Sequence, residues 1–165
     1  MKKFRITKYN PSFRNERGEY ILDEWTSFSD IGKKFHNGVL GEKEYYETED
    51  KYIQAINYIL DEKNVFQMRV VQLEKYDNEL SIPLSSYDRI VKDGLNTNSI
   101  VGRAEIEILS KMILRELLWA SIQSIDALTI IEFGYDYYMY IRCNEISSSI
   151  KQMIFDLGLY IELLL

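Results

Sequence analysis

The sequence predicts an α+β fold: a mainly antiparallel sheet of about four to six strands packed against about three helices. Long amphipathic patterns indicate the helices, and short runs rich in β-branched and aromatic residues indicate the strands. No repeat or linker interrupts the chain, so one globular domain is expected over residues 1–165. A domain of about 150 residues buries roughly 70% of the surface of its unfolded chain, which is sufficient for a core without disulfides.

The longest helix is predicted over residues 42–60. Tyr45, Tyr52 and Ile56 recur at helical spacing and define one apolar face, whereas the opposite face is strongly acidic. Acidic residues in the first turns also suit the positive end of the helix dipole. This segment is therefore expected to pack against the sheet and to present its charges to solvent or to a partner.

The remaining helices are predicted from apolar periodicity and from capping residues. Residues 103–122 are apolar around most of a helical circumference, which predicts a central helix. Asn144 is expected to cap a later helix that Gly158 ends. Two shorter helices are expected near 29–35 and over 83–91.

The strands are predicted where alternation or β-rich composition is bounded by turn residues. Asn10-Pro11 ends the first strand, because proline cannot donate to a β-ladder. Gly134 separates two β-rich runs and so predicts a hairpin. The predicted strands are residues 3–8, 65–76, 128–133, 135–142 and 160–163.

Charge and composition limit the classes of partner. The net charge is −6, and residues 42–62 contain seven acidic against two basic side chains. An acidic field repels phosphate backbones and attracts cationic proteins, so nucleic acid is not expected as a ligand and a basic protein is favoured. The competing interpretation is that the charge only maintains solubility. No apolar run approaches the roughly 20 residues that span a bilayer, and no secretory signal is recognisable, so we expect no membrane association and a cytoplasmic location.

Candidate catalytic groups are few, and each has a simpler structural explanation. His36 is the only histidine, which excludes the usual zinc sites, and we expect it to be exposed. Ser148 and Lys151 have a Ser-x-x-Lys spacing, but they lie at a predicted helix start and no Lys-Thr-Gly motif accompanies them. Cys143 is expected to be buried and inert. We therefore predict no catalytic residue, no metal and no cofactor.

The acidic residues of the long helix are the first candidate for a partner-binding surface. They could form a partner-facing strip, a plain solvated face, or the paired carboxylates of an active site, which would require a dry cleft. The partner-binding interpretation assigns Glu44, Glu47, Asp50, Asp61 and Glu62 to the interface.

Aromatic residues are the second candidate. Tyr46, Tyr135 and Tyr137 are predicted as interface anchors, because tyrosine combines a large contact area with a polar tip. Alternation would place Tyr135 and Tyr137 on one face of a strand, and half-buried packing is the competing explanation. Trp25 is expected to pin the N-terminal loop to the core, with its indole N–H bonded to a backbone carbonyl.

Three segments carry a resemblance to a known family: RITKYNP at 5–11, DEWTS at 23–27 and SDIG at 29–32. They resemble small bacterial immunity proteins of polymorphic-toxin and contact-dependent growth-inhibition loci. The resemblance is concentrated in residues 4–60. It implies a cytoplasmic protein without catalytic activity that blocks a cognate toxin domain by occupying or covering its active site.

The residues and the resemblance together favour an immunity protein whose partner is a basic toxin C-terminal domain, most simply a nuclease, for example an EndoU-like RNase. The acidic helix would mimic phosphate charge, and the tyrosines would provide apolar anchors. One alternative is a non-catalytic adaptor or regulatory protein without a toxin partner. Another is a small-molecule-binding or hydrolytic domain, which would require a deep pocket lined by tyrosines and carboxylates.

Overall fold

The computed structural model of the protein describes residues 1–76 and 84–164. They form one compact α+β domain with a mainly antiparallel sheet, which confirms the predicted fold class. Residue 83, where the second short helix was expected to begin, lies outside the described residues. The four α-helices described are α1 (Glu42–Glu62), α2 (Ser86–Gly94), α3 (Arg103–Leu114) and α4 (Ser148–Asp156).

Seven of the strands form one sheet in the order β5-β4-β6-β7-β8-β1-β9, and every neighbouring pair is antiparallel. The strands β2 and β3 form a separate hairpin. The strands are β1 (Lys2–Thr7), β2 (Lys34–Phe35), β3 (Gly38–Val39), β4 (Gln67–Lys75), β5 (Ile100–Gly102), β6 (Leu118–Ser124), β7 (Ile130–Phe133), β8 (Met139–Cys143) and β9 (Tyr160–Leu164).

Alternation along the strands gives the sheet a buried and a half-buried face. In β8, Met139, Ile141 and Cys143 are buried, whereas Tyr140 and Arg142 between them are only partly covered. The apolar face of α1, including Tyr52 and Ile56, belongs to the same core cluster. The sheet therefore packs one face against the helices and leaves the other partly open.

The partly open face carries a network of ion pairs. The guanidinium of Arg5 on β1 donates to both carboxylate oxygens of Glu162 on β9, at 2.8 and 2.9 Å. Arg14 donates to the same carboxylate at 3.1 Å, so one carboxylate joins the N-terminal loop to the last strand. The carboxylate of Glu132 pairs with Arg142 across β7 and β8 at 3.1 Å.

The predicted central helix over 103–122 is wrong in its second half. The helix α3 ends at Leu114, and Leu118–Ser124 is strand β6, paired with β4 and β7 in the middle of the sheet. Glu116, with φ of 60°, turns the chain in the left-handed conformation that commonly ends a helix. The residues Leu118, Ala120 and Ile122 of β6 continue the apolar run of α3, and a short, largely buried segment cannot be distinguished from a buried helix by periodicity alone.

Smaller differences concern turns and caps. The helix expected near 29–35 is a 3₁₀ turn at Phe28–Asp30 followed by β2. Ser147, not Asn144, caps α4, because its hydroxyl accepts a hydrogen bond from the amide of Ile150. The predicted hairpin at Gly134 is confirmed, but its second strand begins at Met139, so residues 134–138 form a loop instead of a strand.

The long helix, the first and last strands and the strand over 65–76 are confirmed with boundary shifts of a few residues. Gly158 follows α4 with φ of 84°, as expected for a glycine that ends a helix. The final strand β9 lies at the edge of the sheet beside β1.

Candidate functional site

The N-terminal half of α1 lies against the end of α3 and the loop between β7 and β8. The hydroxyl of Tyr45 donates to the carbonyl of Leu114 at 2.9 Å, and that of Tyr52 donates to the carbonyl of Tyr137 at 2.8 Å. The guanidinium of Arg115 stacks over the ring of Tyr46 at 5.1 Å. These contacts bring α1, the turn after α3 and the hairpin loop to one end of the molecule.

The hairpin loop is held in a tight, strained conformation. The amide of Tyr138 donates to the carbonyl of Tyr135 at 3.3 Å, and the two residues between them, Asp136 and Tyr137, have φ of 59° and 63°. A second bond, from the amide of Gly134 to the carbonyl of Tyr138 at 2.9 Å, closes the base of the loop. Two consecutive positive φ values are typical of a type I′ turn, where Gly or Asn is preferred. A tyrosine at such a position indicates that tertiary contacts determine the loop.

Burial of Tyr137 provides those contacts. Its side chain is 5% exposed, and its ring centroid lies 5.0 Å from that of Trp25, 5.8 Å from that of Tyr45 and 5.0 Å from that of Tyr52. Tyr135, two residues earlier, is 93% exposed. The structure thus separates the two tyrosines that alternation had placed on one strand face: Tyr137 anchors the loop to the core, and the loop presents Tyr135 to solvent.

A cavity of about 570 Å³ opens beside this loop. Its walls include the aromatic rings of Tyr76, Trp119 and Tyr135 and the carboxylates of Glu116 and Asp136. The indole N–H of Trp119 donates to the carbonyl of Phe133 at 2.7 Å, which fixes one wall. Among the described residues that line it there is no lysine and no arginine. We call this feature the acidic cavity.

The carboxylate of Glu116 has a perturbed pKa. Partial burial and the nearby negative charge of Asp30 raise its pKa above the ordinary value, against smaller opposing contributions from Ser29 and Lys33. The ammonium group of Lys33 is itself 2.9 Å from the carboxylate of Asp30. Lys33 is therefore the nearby cation for both Asp30 and Glu116.

The acidic residues predicted on α1 fall into different environments. Glu47 is exposed and only 3.8 Å from the exposed Lys43, whereas Glu44 accepts a hydrogen bond from the buried indole of Trp25 at 3.3 Å. This carboxylate replaces the backbone carbonyl expected for that indole, although burial of Trp25 at the core is confirmed at 3% exposure. The remaining three are bonded within the fold: Asp50 to Lys111 at 3.5 Å, Asp61 to Arg103 at 2.7 Å, and Glu62 to the amide of Ser147 at 3.0 Å.

The predicted interface residues of α1 are spread along the length of the helix. Glu44 and Asp61 are 17 residues apart on α1, which corresponds to about 25 Å along the axis. Glu44, Tyr46 and Glu47 lie in the half of α1 that meets the hairpin loop, where Tyr135 is exposed. Asp61 and Glu62 lie at the opposite end of the helix, so the structure does not bring all the predicted residues together.

Sequence reasoning missed the strongest charge pair of this region. Glu49 is 1% exposed and accepts two hydrogen bonds from the guanidinium of Arg115, at 2.8 and 2.6 Å. Its position four residues after Tyr45 and three before Tyr52 places it on the apolar face of α1, and this spacing could have identified it as buried. The cavity carboxylates Glu116 and Asp136 had no comparable signal, because both lie in turns.

The remaining candidates occupy the simple structural positions expected for them. His36 is exposed, and its imidazole lies beside the carbonyl of Asp23. Ser148 begins α4, with Lys151 one turn later. Cys143 is 1% exposed, and burial raises the pKa of its thiol. Within the described ranges, no group of three or more His, Cys, Asp or Glu residues is arranged to hold a metal ion.

Comparison with known proteins leaves the family open, because no protein-family model, curated protein or solved structure matches the chain. Across residues 1–76 and 84–164, none of the helices combines the length and the apolar character that crossing a bilayer requires.

Proposed function

We propose that this protein is a cytoplasmic immunity protein that binds a cognate toxin domain and neutralises it by covering the active site. The partner is a basic domain, with a nuclease such as an EndoU-like RNase as the first candidate. This proposal combines the family resemblance of residues 4–60 with the surface at the loop end of the molecule.

One observation carries the proposal: the exposure of Tyr135 on an anchored loop. Its side chain is 93% exposed on a loop that the buried ring of Tyr137 fixes to the core. A loop backbone that is held in place before binding loses little conformational freedom at an interface, and exposed aromatic residues provide much of the binding energy in protein complexes. Full exposure of a large ring has no evident benefit for folding, so we assign it to partner binding.

The neighbouring half of α1 extends this surface. The exposed carboxylates of Glu44 and Glu47 add negative charge, and Tyr46 adds a half-buried aromatic surface under Arg115. Opposite charges on the partner would mainly accelerate association, whereas the aromatic contacts would lengthen the lifetime of the complex. Such a surface suits the substrate cleft of a nuclease, which is basic because it binds phosphates.

The proposal requires a toxin gene beside the gene for this protein, and the test is co-expression with the C-terminal domain of that toxin, scored by rescue of growth and by co-purification. We expect the wild-type protein to rescue growth and to co-purify. Tyr135→Ala should shorten the lifetime of the complex, and Glu47→Lys should slow association and flatten its salt dependence.

Two exposed positions elsewhere serve as matched controls. Phe66→Ala removes a 70% exposed aromatic ring, and Asp156→Lys makes the same change of charge on α4. Neither should alter rescue or binding. Failure of the wild-type protein to rescue or to co-purify would refute immunity and favour the adaptor, and equal effects of the control variants would show that the interface lies elsewhere.

A further inference from the structure

We propose that the acidic cavity is a receptor for one basic side chain, an arginine or lysine, that the partner protein inserts beside Tyr135. This inference rests on the proposed function and specifies which chemical group the partner contributes. It concerns a cavity whose carboxylates, Glu116 and Asp136, none of the sequence patterns indicated.

The size and the walls of the cavity suit a cationic head group. Its volume of about 570 Å³ lies within the range of pockets that enclose small ligands. Tyr76, Trp119 and Tyr135 contribute aromatic surface to the walls. The faces of such rings attract cations, and arginine is the commoner partner because its planar guanidinium also stacks on them.

The charge of the cavity is complementary to the same head group. Glu116 and Asp136 line it, and no cation is among its described lining residues. Partial burial and the charge of Asp30 raise the pKa of Glu116, and a cation held beside Glu116 would offset both effects. Carboxylates and aromatic rings together select a basic side chain over a neutral or anionic one.

Tyr137 holds the loop that forms one wall of the cavity. Its ring turns into the core, where its hydroxyl lies beside the hydroxyl of Tyr45. The hydroxyl of Tyr45 in turn donates its proton to the carbonyl of Leu114. These contacts fix the loop from the core side and leave the cavity to the other lining residues.

The backbone around the cavity is strained at three residues. Glu116, Asp136 and Tyr137 have φ of 60°, 59° and 63°, in the left-handed region that residues other than glycine rarely adopt. Such strain is concentrated at functional sites, where the surrounding structure fixes it. Here it places both carboxylates and the tyrosine at the cavity.

A metal ion fits these walls less well than a basic side chain. Calcium takes six to eight oxygen ligands, and zinc prefers sulfur and nitrogen. The cavity offers two carboxylates among aromatic and aliphatic surfaces. The geometry therefore favours an organic cation with a flat or compact head.

The experiment uses NMR titration of the full-length protein with the peptide acetyl-Gly-Arg-Gly-amide. The neutral control is the same peptide with citrulline, which keeps the shape of arginine without its charge, and a lysine peptide tests the alternative cation. The two tryptophans report location: the indole of Trp119 is at the cavity wall, whereas that of Trp25 is bonded to Glu44 outside it.

We expect the arginine peptide to shift the Trp119 indole resonance with millimolar affinity and to leave that of Trp25 unchanged, whereas citrulline has no effect. Glu116→Gln and Asp136→Asn keep the shape of each side chain, and each should weaken binding roughly tenfold. Asp156→Asn, on α4 and outside the cavity, should leave the affinity unchanged. Equal binding of arginine and citrulline, no shift of Trp119 into the high millimolar range, or full affinity in both cavity variants would overturn the proposal.

The titration contains no toxin, so its failure differs from failure of the proposed function. If the wild-type protein rescues growth but the peptide does not bind, immunity stands and the receptor role of the cavity is wrong. If the peptide binds but no rescue occurs, the cavity recognises a basic side chain of a different partner.

Discussion

The carboxylates of the α1–α3 interface and those of the acidic cavity have the same chemistry but opposite surroundings. At the interface, Glu49, Asp50 and Asp61 pair with Arg115, Lys111 and Arg103, respectively. At the cavity, Glu116 and Asp136 stand beside aromatic rings with no cation among the described lining residues. The first group is paired with basic side chains across the interface, whereas the second lines an open cavity.

The difference shows that acidic density along a sequence does not by itself identify a binding surface. Residues 42–62 are the most acidic part of the chain, but several of their carboxylates are bonded to basic groups inside the fold. Exposed ion pairs contribute little to stability, so only the buried pair is expected to be indispensable to folding. Four predictions test this comparison, in order of decreasing expected effect.

The largest effect is expected for Arg115→Met. It leaves the carboxylate of Glu49, which is 1% exposed, without its partner, and we expect the free energy of unfolding to fall by about 3–5 kcal/mol. Urea denaturation measures this change. Asp61→Asn, at a 71% exposed side chain, should change it by less than about 0.5 kcal/mol. The double variant Glu49→Leu, Arg115→Met should recover most of the loss, and a small effect of Arg115→Met would contradict the role assigned to this pair.

The second prediction compares the two tyrosines of the hairpin loop. Tyr137→Ala removes a ring from the core and should lower the free energy of unfolding by about 3 kcal/mol. Tyr135→Ala removes a 93% exposed ring and should change it by less than about 0.5 kcal/mol. Thermal denaturation measures both. Similar losses for the two variants would show that Tyr135 has a structural role and would weaken its assignment to partner binding.

The third prediction concerns pH and the open face of the sheet. Burial alone would raise the pKa of Glu162, but hydrogen bonds and charge from Arg5 and Arg14 lower it below the usual value near 4.5. A carboxylate with a lowered pKa in the folded state contributes stability that is present above the unfolded pKa and is lost as pH falls through the folded value.

Glu162→Gln should therefore cost about 2 kcal/mol near pH 7, and its difference from wild type should shrink as the pH falls below about 4. Urea denaturation across this pH range measures the difference. Glu145→Gln is the control, because this carboxylate is 71% exposed and forms only a loose pair with Lys2 at 3.7 Å. If the difference in the free energy of unfolding were the same at every pH, the charge of Glu162 would not be the source of the stabilisation by Arg5 and Arg14.

The smallest effect on stability is expected at Glu116. Glycine adopts φ of 60° without a steric cost, so Glu116→Gly should raise the free energy of unfolding by up to about 1 kcal/mol. Glu116→Ala removes the same carboxylate but keeps the strain, and should leave stability nearly unchanged. Both variants should lose affinity for the arginine peptide. A stable variant with full affinity would show that the strained glutamate has no part in binding.

The sequence indicated the helical elements with different success. For α1, alternating apolar and acidic positions at helical spacing identified both the helix and its buried face. For residues 115–122, the same reasoning extended a helix into strand β6, because Leu117 and Ala120 also fit the helical spacing of the apolar residues in α3.

The candidate site was predicted only in part. Tyr46 and Tyr135 were chosen for residue type, and their exposure followed from the fold and not from the pattern. Tyr137 is of the same type but is buried, because the loop turns it inward toward Tyr52. Glu116 and Asp136 were not predicted. They lie in two turns that are distant in sequence and that come together only when β6, β7 and β8 assemble.

Local periodicity and composition by themselves determined the α+β class, the main amphipathic helix and the acidic character, because each depends on neighbours within a few residues. Only the tertiary structure determines which carboxylates form ion pairs and which line the open cavity. Ion pairs such as that between Glu49 and Arg115 join residues 66 positions apart, and their formation depends on the packing of α1 against α3. The assembly of β6, β7 and β8 likewise brings Glu116 and Asp136 to one cavity, and contacts with Trp25, Tyr45 and Tyr52 turn Tyr137 inward.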